Sequence, residues 1–166
     1  IQEALRFVRK NAERLGVDPE QVGVCGGSAG GHLAAYTSTF TPDEEKPAFS
    51  ILFYPVITGE TWESHQDSFA QLLGKKRTIA EQEYYSLHNR VTPTTPPALI
   101  LLSDDDAEVP TLSSILYYNA LKYYGIPASM HIWPNEGHGW AAKPWCTCWD
   151  KAKPIIEDWL SIQRKN

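Results

Sequence analysis

The residues of this sequence best placed to do chemistry begin with Ser28, set in Gly26-Gly27-Ser28-Ala29-Gly30 between a short apolar run and a stretch of helical composition. A serine projected from a tight strand-to-helix turn adopts a strained backbone, and glycines two residues to either side let neighbouring elements pass without Cβ clashes. The same turn sets Ser28 at a helix N-terminus, where the Ala29 N–H is expected to point at a developing oxyanion. A hydroxyl is a weak nucleophile until a base takes its proton, and that base needs an orienting carboxylate. Both residue types follow. Asn135-Glu136-Gly137-His138-Gly139-Trp140 presents His138 on a loop between glycines, and Ser103-Asp104-Asp105-Asp106-Ala107-Glu108-Val109-Pro110 presents three aspartates behind an apolar run. His138 is expected to be the base and one of these aspartates its partner. The other histidines are weaker candidates: His32 lies one helical turn after Ser28 and is expected to pack or cap, and His131 falls inside a strand. His65 and His88 belong to an irregular segment, from which His65 is expected to touch substrate.

Residues so far apart need elements that bring them together. Ile1, Leu5, Val8, Ala12 and Leu15 recur at helical spacing up to Gly16, which predicts an amphipathic helix. Gln21 to Cys25 reads as a buried strand ending near Gly26, and Ala29 to Phe40 as a helix stopped by Thr41-Pro42. Ala48 to Tyr54, Pro97 to Leu102 and Met130 to Trp133 are further strands. Helices are expected over Thr111 to Tyr124 and Lys151 to Gln163. Helix alternating with continuously apolar strands predicts the α/β class, with a parallel sheet of about four strands flanked by helices. Ligand-facing residues of such sheets collect at the strand ends, where all three motifs stand. The 166 residues fit one domain, 1–166, with residues 58–95 as an inserted cap or specificity segment.

Composition narrows the function. Fifteen Lys and Arg against twenty Asp and Glu give a net charge of −5, which supplies no attraction to nucleic acid or to anionic lipid. No apolar stretch approaches the roughly 18 residues of a membrane-spanning helix. Three cysteines make no disulfide framework, Cys25 being expected inside the buried strand, and Cys146, Cys148 and His138 lack the second ligand pair of a zinc site. No metal and no cofactor are expected. The sequence opens without Met and without a signal-peptide pattern, so a fragment of a longer protein is expected, and its compartment, cytoplasmic or secreted, is not legible.

The chain order Ser28, aspartate, His138, each behind its own strand, is that of the α/β-hydrolases. Gly-Gly-Ser-Ala-Gly-Gly-His-Leu-Ala-Ala (26–35), Ser-Asp-Asp-Asp-Ala-Glu-Val-Pro (103–110) and Gly-His-Gly-Trp (137–140) resemble α/β-hydrolase esterases of the acetylxylan esterase and carbohydrate esterase type. His65-Gln-Asp-Ser68, Leu72-Leu73-Gly74 and Val91 to Pro97 are similar to the same group. The resemblance implies Ser28 as nucleophile, His138 as base and Asp106 as acid, because Asp106 stands three residues before Val109 in the Asp-x-x-Val-Pro pattern; Asp105 is the fallback. It also implies small acyl groups such as acetyl, on a sugar or xylan-like alcohol, as substrate. Trp62, Trp140 and His65 are expected to wall the pocket. The family fold has about twice as many strands, so the resemblance is to its C-terminal half. An earlier loop that donates to the oxyanion hole is not in this sequence, and a strand near Val22 to Cys25 is expected to be an unpaired edge that favours self-association. Two rival readings stand beside the esterase: a peptidase of the prolyl oligopeptidase type, and a non-catalytic fragment.

Overall fold

A computed structural model describes residues 1–60, 64–143 and 146–163 of the chain. The apolar runs become four strands: β1 (Val24–Gly27), β2 (Ser50–Phe53), β3 (Ala98–Ser103) and β4 (Ala128–Trp133). They pair in parallel in the order in which they occur along the chain, β1-β2-β3-β4. Each parallel neighbour requires a long crossover, and helices supply it. Between β1 and β2 runs α3 (Ala29–Phe40), and between β3 and β4 runs α6 (Thr111–Tyr123). Ahead of β1 lie α1 (Gln2–Lys10) and α2 (Ala12–Leu15), and behind β4 comes α7 (Cys148–Gln163). The expected first helix is thus two. At Asn11 the side-chain amide donates to the Phe7 carbonyl at 2.8 Å, competing for the acceptor that the Asn11 backbone N–H also uses.

The sheet is buried from its middle outwards. Every residue of β2 and β3 is buried, Ser50 and Ser103 included, as in strands covered on both faces. In edge strand β1 only Val24 is buried, and Cys25 is exposed, contrary to its expected burial. Alternation explains this: Gly26 faces α3, so Cys25 turns to the opposite side of an edge strand. Among the described residues the outer edges of β1 and β4 have no strand partner. All three cysteines are free. No described helix is long and apolar enough to cross a membrane.

Between β2 and β3 the segment 58–95 holds α4 (Gln66–Leu73), α5 (Ile79–Tyr84) and a tight turn, Leu87–Arg90. The α5 start is fixed by a capping box, in which Thr78 and Glu81 bond each other's backbone N–H. Phe69 of α4 joins Val56 and Val109 in a small core of its own. That contact ties the segment to the loops that follow β2 and β3, where the candidate site lies.

Candidate active site

Ladder register aligns the C-terminal ends of the strands: Gly27 lies beside Phe53, Phe53 beside Leu101, and Ser103 beside Trp133. Whatever follows each strand emerges at one end of the sheet. Ser28 comes directly after β1 with φ 56° and ψ −124°, a conformation that costs a side-chain-bearing residue on the order of 1–3 kcal/mol. Its surroundings hold it there. The Ser28 N–H donates to the Phe53 carbonyl at 3.0 Å, and its carbonyl accepts from His32 and Val56 N–H at 3.1 and 3.2 Å. A Cβ on Gly26 would stand 2.1 Å from the Gly30 carbonyl oxygen, and one on Gly31 2.7 Å from Pro55 Cβ. The close approach is therefore at Gly26 and Gly31; a Cβ on Gly30 would meet nothing, contrary to the symmetrical reading of the motif.

The three sequence candidates meet. His138 Nε2 lies 2.9 Å from Ser28 Oγ, and its Nδ1 lies 2.7 Å from Asp106 Oδ2. The Asp106 side chain is 1% exposed and that of His138 12%. Asp106 Oδ1 accepts from the backbone N–H of Glu108 and of Val109, both at 2.9 Å, so the carboxylate is aimed by its own loop. Nδ1 of His138 is then the donor to Oδ2, which leaves Nε2 as acceptor for the Ser28 hydroxyl. Ala29 opens α3, where the first backbone N–H groups have no partner within the helix. Glu108 reaches to 4.0 Å from Nε2 with its carboxylate largely exposed.

Asp105 does something else. Its Oδ1 accepts from Ser103 Oγ at 2.5 Å and from the Gly137 N–H at 2.8 Å, while Ser103 Oγ accepts from the Glu136 N–H at 2.7 Å. These bonds, the Ser103 hydroxyl first, hold its carboxyl below the ordinary aspartate range. Asp105 therefore clasps the histidine loop to the end of β3 and stands apart from the imidazole.

The expected pocket residues separate. Trp140 is fully buried, packed edge-on against Phe53, Tyr54, Trp133 and Trp149 with ring centres 5.3–5.8 Å apart. It is a core residue, because the turn Trp140–Ala142 folds the indole under the loop, and it cannot wall a substrate pocket. His65 caps α4 through Nδ1, which accepts from the Ser68 N–H at 3.2 Å, and it lines a cavity of about 460 Å³ with Ala29, His32, Leu33, Val56 and Leu72. Trp62 lies outside the described residues. His32 packs as expected, with Nδ1 3.1 Å from the Val56 carbonyl and its ring edge-on to Phe69. Another hollow, of about 440 Å³, is lined by Ser28 and His138 together with Cys25, Tyr54 and Trp149. Among the described residues no cluster of three or more His, Cys, Asp or Glu is placed to hold a metal ion.

Sequence reasoning missed Tyr54. It follows β2 with φ 36° and precedes proline, a position that normally holds extended backbone. Its ring centre lies 4.7 Å from that of His138, and its hydroxyl accepts from the Ala141 N–H at 3.2 Å. Burial pushes the phenol above the ordinary tyrosine value, which keeps it neutral.

A parallel sheet with serine, aspartate and histidine loops at one end defines an α/β-hydrolase. Within that class the chain belongs to the prolyl oligopeptidase family, whose profile matches residues 1–149. The resemblance to carbohydrate esterases also holds. An acetylxylan esterase of Xylanibacter ruminicola is 37% identical over 96% of this chain and 34% of its own length. Endo-1,4-beta-xylanase B of Butyrivibrio fibrisolvens is 35% identical over 84% of this chain and 24% of its own. The crystal structure of an acetyl ester-xyloside bifunctional hydrolase from Caldicellulosiruptor lactoaceticus superposes with a TM-score of 0.85 at 33% identity, covering 96% of this chain and 63% of that one. The chain thus spans about a third or less of the Xylanibacter and Butyrivibrio enzymes and 63% of the crystallised one.

Proposed function

We propose that residues 1–166 form the part of a serine esterase that carries its nucleophile, base and acid, with segment 58–95 shaping the substrate side. Small acyl groups, acetyl above all, on a carbohydrate such as xylan are the proposed substrate, a reading supported by the names of the relatives. The observation that carries the mechanism is the pair of contacts on one imidazole, 2.9 Å to Ser28 Oγ and 2.7 Å to Asp106 Oδ2.

Ser28 Oγ attacks the acyl carbon while His138 Nε2 takes its proton. Asp106 holds the Nδ1–H and offsets the positive charge that forms on the ring. The Ala29 N–H meets the oxyanion of the tetrahedral intermediate. Collapse breaks the bond to the alcohol oxygen, which leaves with the proton from Nε2. Water then attacks the acyl-serine, His138 again taking and returning a proton, and the carboxylic acid departs.

The test is intact-mass analysis of the purified chain after treatment with a fluorophosphonate, which modifies an activated serine. One adduct on the wild type and none on Ser28→Ala is the expected result. A folded wild-type chain that takes up no probe refutes the reading for this chain. Esters compared with peptide substrates then separate esterase from peptidase activity.

A further inference from the structure

Tyr54 stands between the two halves of the proposed mechanism and belongs to neither motif. On one side its ring presses on the strand that leads into Ser28: a Cβ on Gly27 would lie 3.1 Å from Tyr54 Cε2. On the other side the same ring sits 4.7 Å from the His138 imidazole, inclined at 60° to it. The hydroxyl reaches past the histidine to the following turn, where it accepts from the Ala141 N–H at 3.2 Å. The backbone is also fixed: the Tyr54 N–H donates to the Leu101 carbonyl at 2.7 Å, and φ is 36° at a residue before proline. A bulky residue at positive φ persists only where its surroundings over-determine it, and here the ring lies beside Gly27 on one side and the His138 imidazole on the other.

We propose that Tyr54 is a positioning residue, its ring backing the His138 imidazole and its hydroxyl tethering the turn after it, so that Nε2 is held at bonding distance from Ser28. The proposal rests on the esterase reading for its kinetic consequence alone. The phenol takes no part in proton transfer. Asp106 fixes Nδ1 of His138, but one hydrogen bond leaves the ring free to swing about it, and the Tyr54 ring occupies one side of that swing. A displacement of about 1 Å between reacting groups costs on the order of a hundredfold in rate.

Three variants of the 166-residue chain test this: Tyr54→Phe, Tyr54→Leu and, as a packing control, Leu121→Val. Leu121 is fully buried in the last turns of α6, which run back to the far end of the sheet from the site. Two readouts are taken, the second-order rate of fluorophosphonate labelling and the downfield proton resonance of an imidazole N–H bonded to a carboxylate. Tyr54→Phe keeps the ring and loses only the tether to Ala141, so it labels somewhat more slowly, within about tenfold of wild type, and keeps the resonance. Tyr54→Leu slows labelling by about 10- to 100-fold and loses the resonance. Leu121→Val changes neither. Tyr54→Leu labelled within threefold of wild type with the resonance intact overturns the proposal. So does a Leu121→Val chain that loses both signals as Tyr54→Leu does, since the effect is then general loosening. If the wild type takes up no label, the esterase reading fails separately and the resonance decides: loss in Tyr54→Leu with retention in Tyr54→Phe supports the positioning role, and retention in both overturns it.

Discussion

Replacing Asp106 with asparagine changes one atom, and the structure fixes which one. Two backbone donors, Glu108 and Val109 N–H, converge at 2.9 Å on Oδ1, so the asparagine oxygen must stay there; an amide nitrogen in that place would face two donors with none to accept. The amide NH₂ then takes the place of Oδ2, 2.7 Å from His138 Nδ1. A donor facing Nδ1 forces that nitrogen to accept and moves the ring proton to Nε2, which can no longer accept from Ser28 Oγ. The imidazole remains in position in the wrong tautomer. Serine hydrolases in that condition lose about 10⁴-fold in turnover, equivalent to about 5.4 kcal/mol of transition-state stabilisation. We expect Asp106→Asn to label with a fluorophosphonate about 10³- to 10⁴-fold more slowly than wild type at neutral pH, with its urea midpoint measured alongside to establish that it is folded. A folded variant that labels within tenfold of wild type refutes the tautomer argument and with it the proposed role of Asp106.

Gly26→Ala places a methyl 2.1 Å from a backbone oxygen, so it is expected to lower stability by about 2 kcal/mol or more and to abolish labelling. Gly30→Ala meets nothing and removes a glycine from a helix, so a gain of roughly 0.5–1 kcal/mol is expected in denaturant titration; a loss from Gly30→Ala contradicts the geometry. Tyr117 is fully buried in α6 with a hydroxyl that finds no partner among the described residues. Tyr117→Phe is therefore expected to raise stability by about 1 kcal/mol and Tm by about 2–4 °C in a thermal melt, and a fall of that size would show a hidden partner. Burial holds His32 and His88 below the ordinary histidine value of 6.5. Between that value and the lower folded one the unfolded chain binds more protons, so stability is full above pH 6.5 and declines on acidification, by at most about 1.4 kcal/mol per pH unit for each ring. Urea midpoints at pH 7.5 and 5.5 should differ in that sense. The difference should shrink in the His32→Gln, His88→Gln double variant, because the carboxylates with lowered values, Asp43, Glu45, Glu81 and Asp105, lose their contributions only at lower pH.

What was legible in the sequence was whatever depends on neighbours along the chain. The strand runs and the helix Ala29–Phe40 follow from local periodicity and from stops at glycine and proline; the order of the strands in the sheet does not. The serine turn announces itself because a strained backbone leaves glycines around it. Contacts between segments distant in sequence leave no such mark. Trp140 beside a loop histidine reads as a pocket wall, yet the tight turn that carries it drives the indole into an aromatic core assembled from three other segments. Tyr54 before Pro55 reads as the end of a strand, and only the arrival of residues 138–141 gives its ring a task. Asp105 and Asp106 are chemically identical neighbours; the loop's own N–H groups and Ser103 decide which one reaches the histidine.

The sequential order of the strands has a consequence for how the site comes into being. Ser28 and His138 are separated by 110 residues. A ribosome adding roughly 5–20 residues per second exposes the serine turn some 5–20 s before the histidine loop emerges. Through that interval β1, β2 and β3 can add side by side while the serine has no base within reach. On the proposed mechanism the hydroxyl is inert during synthesis, and reactivity arrives only when β4, the fourth of the described strands, docks on the sheet.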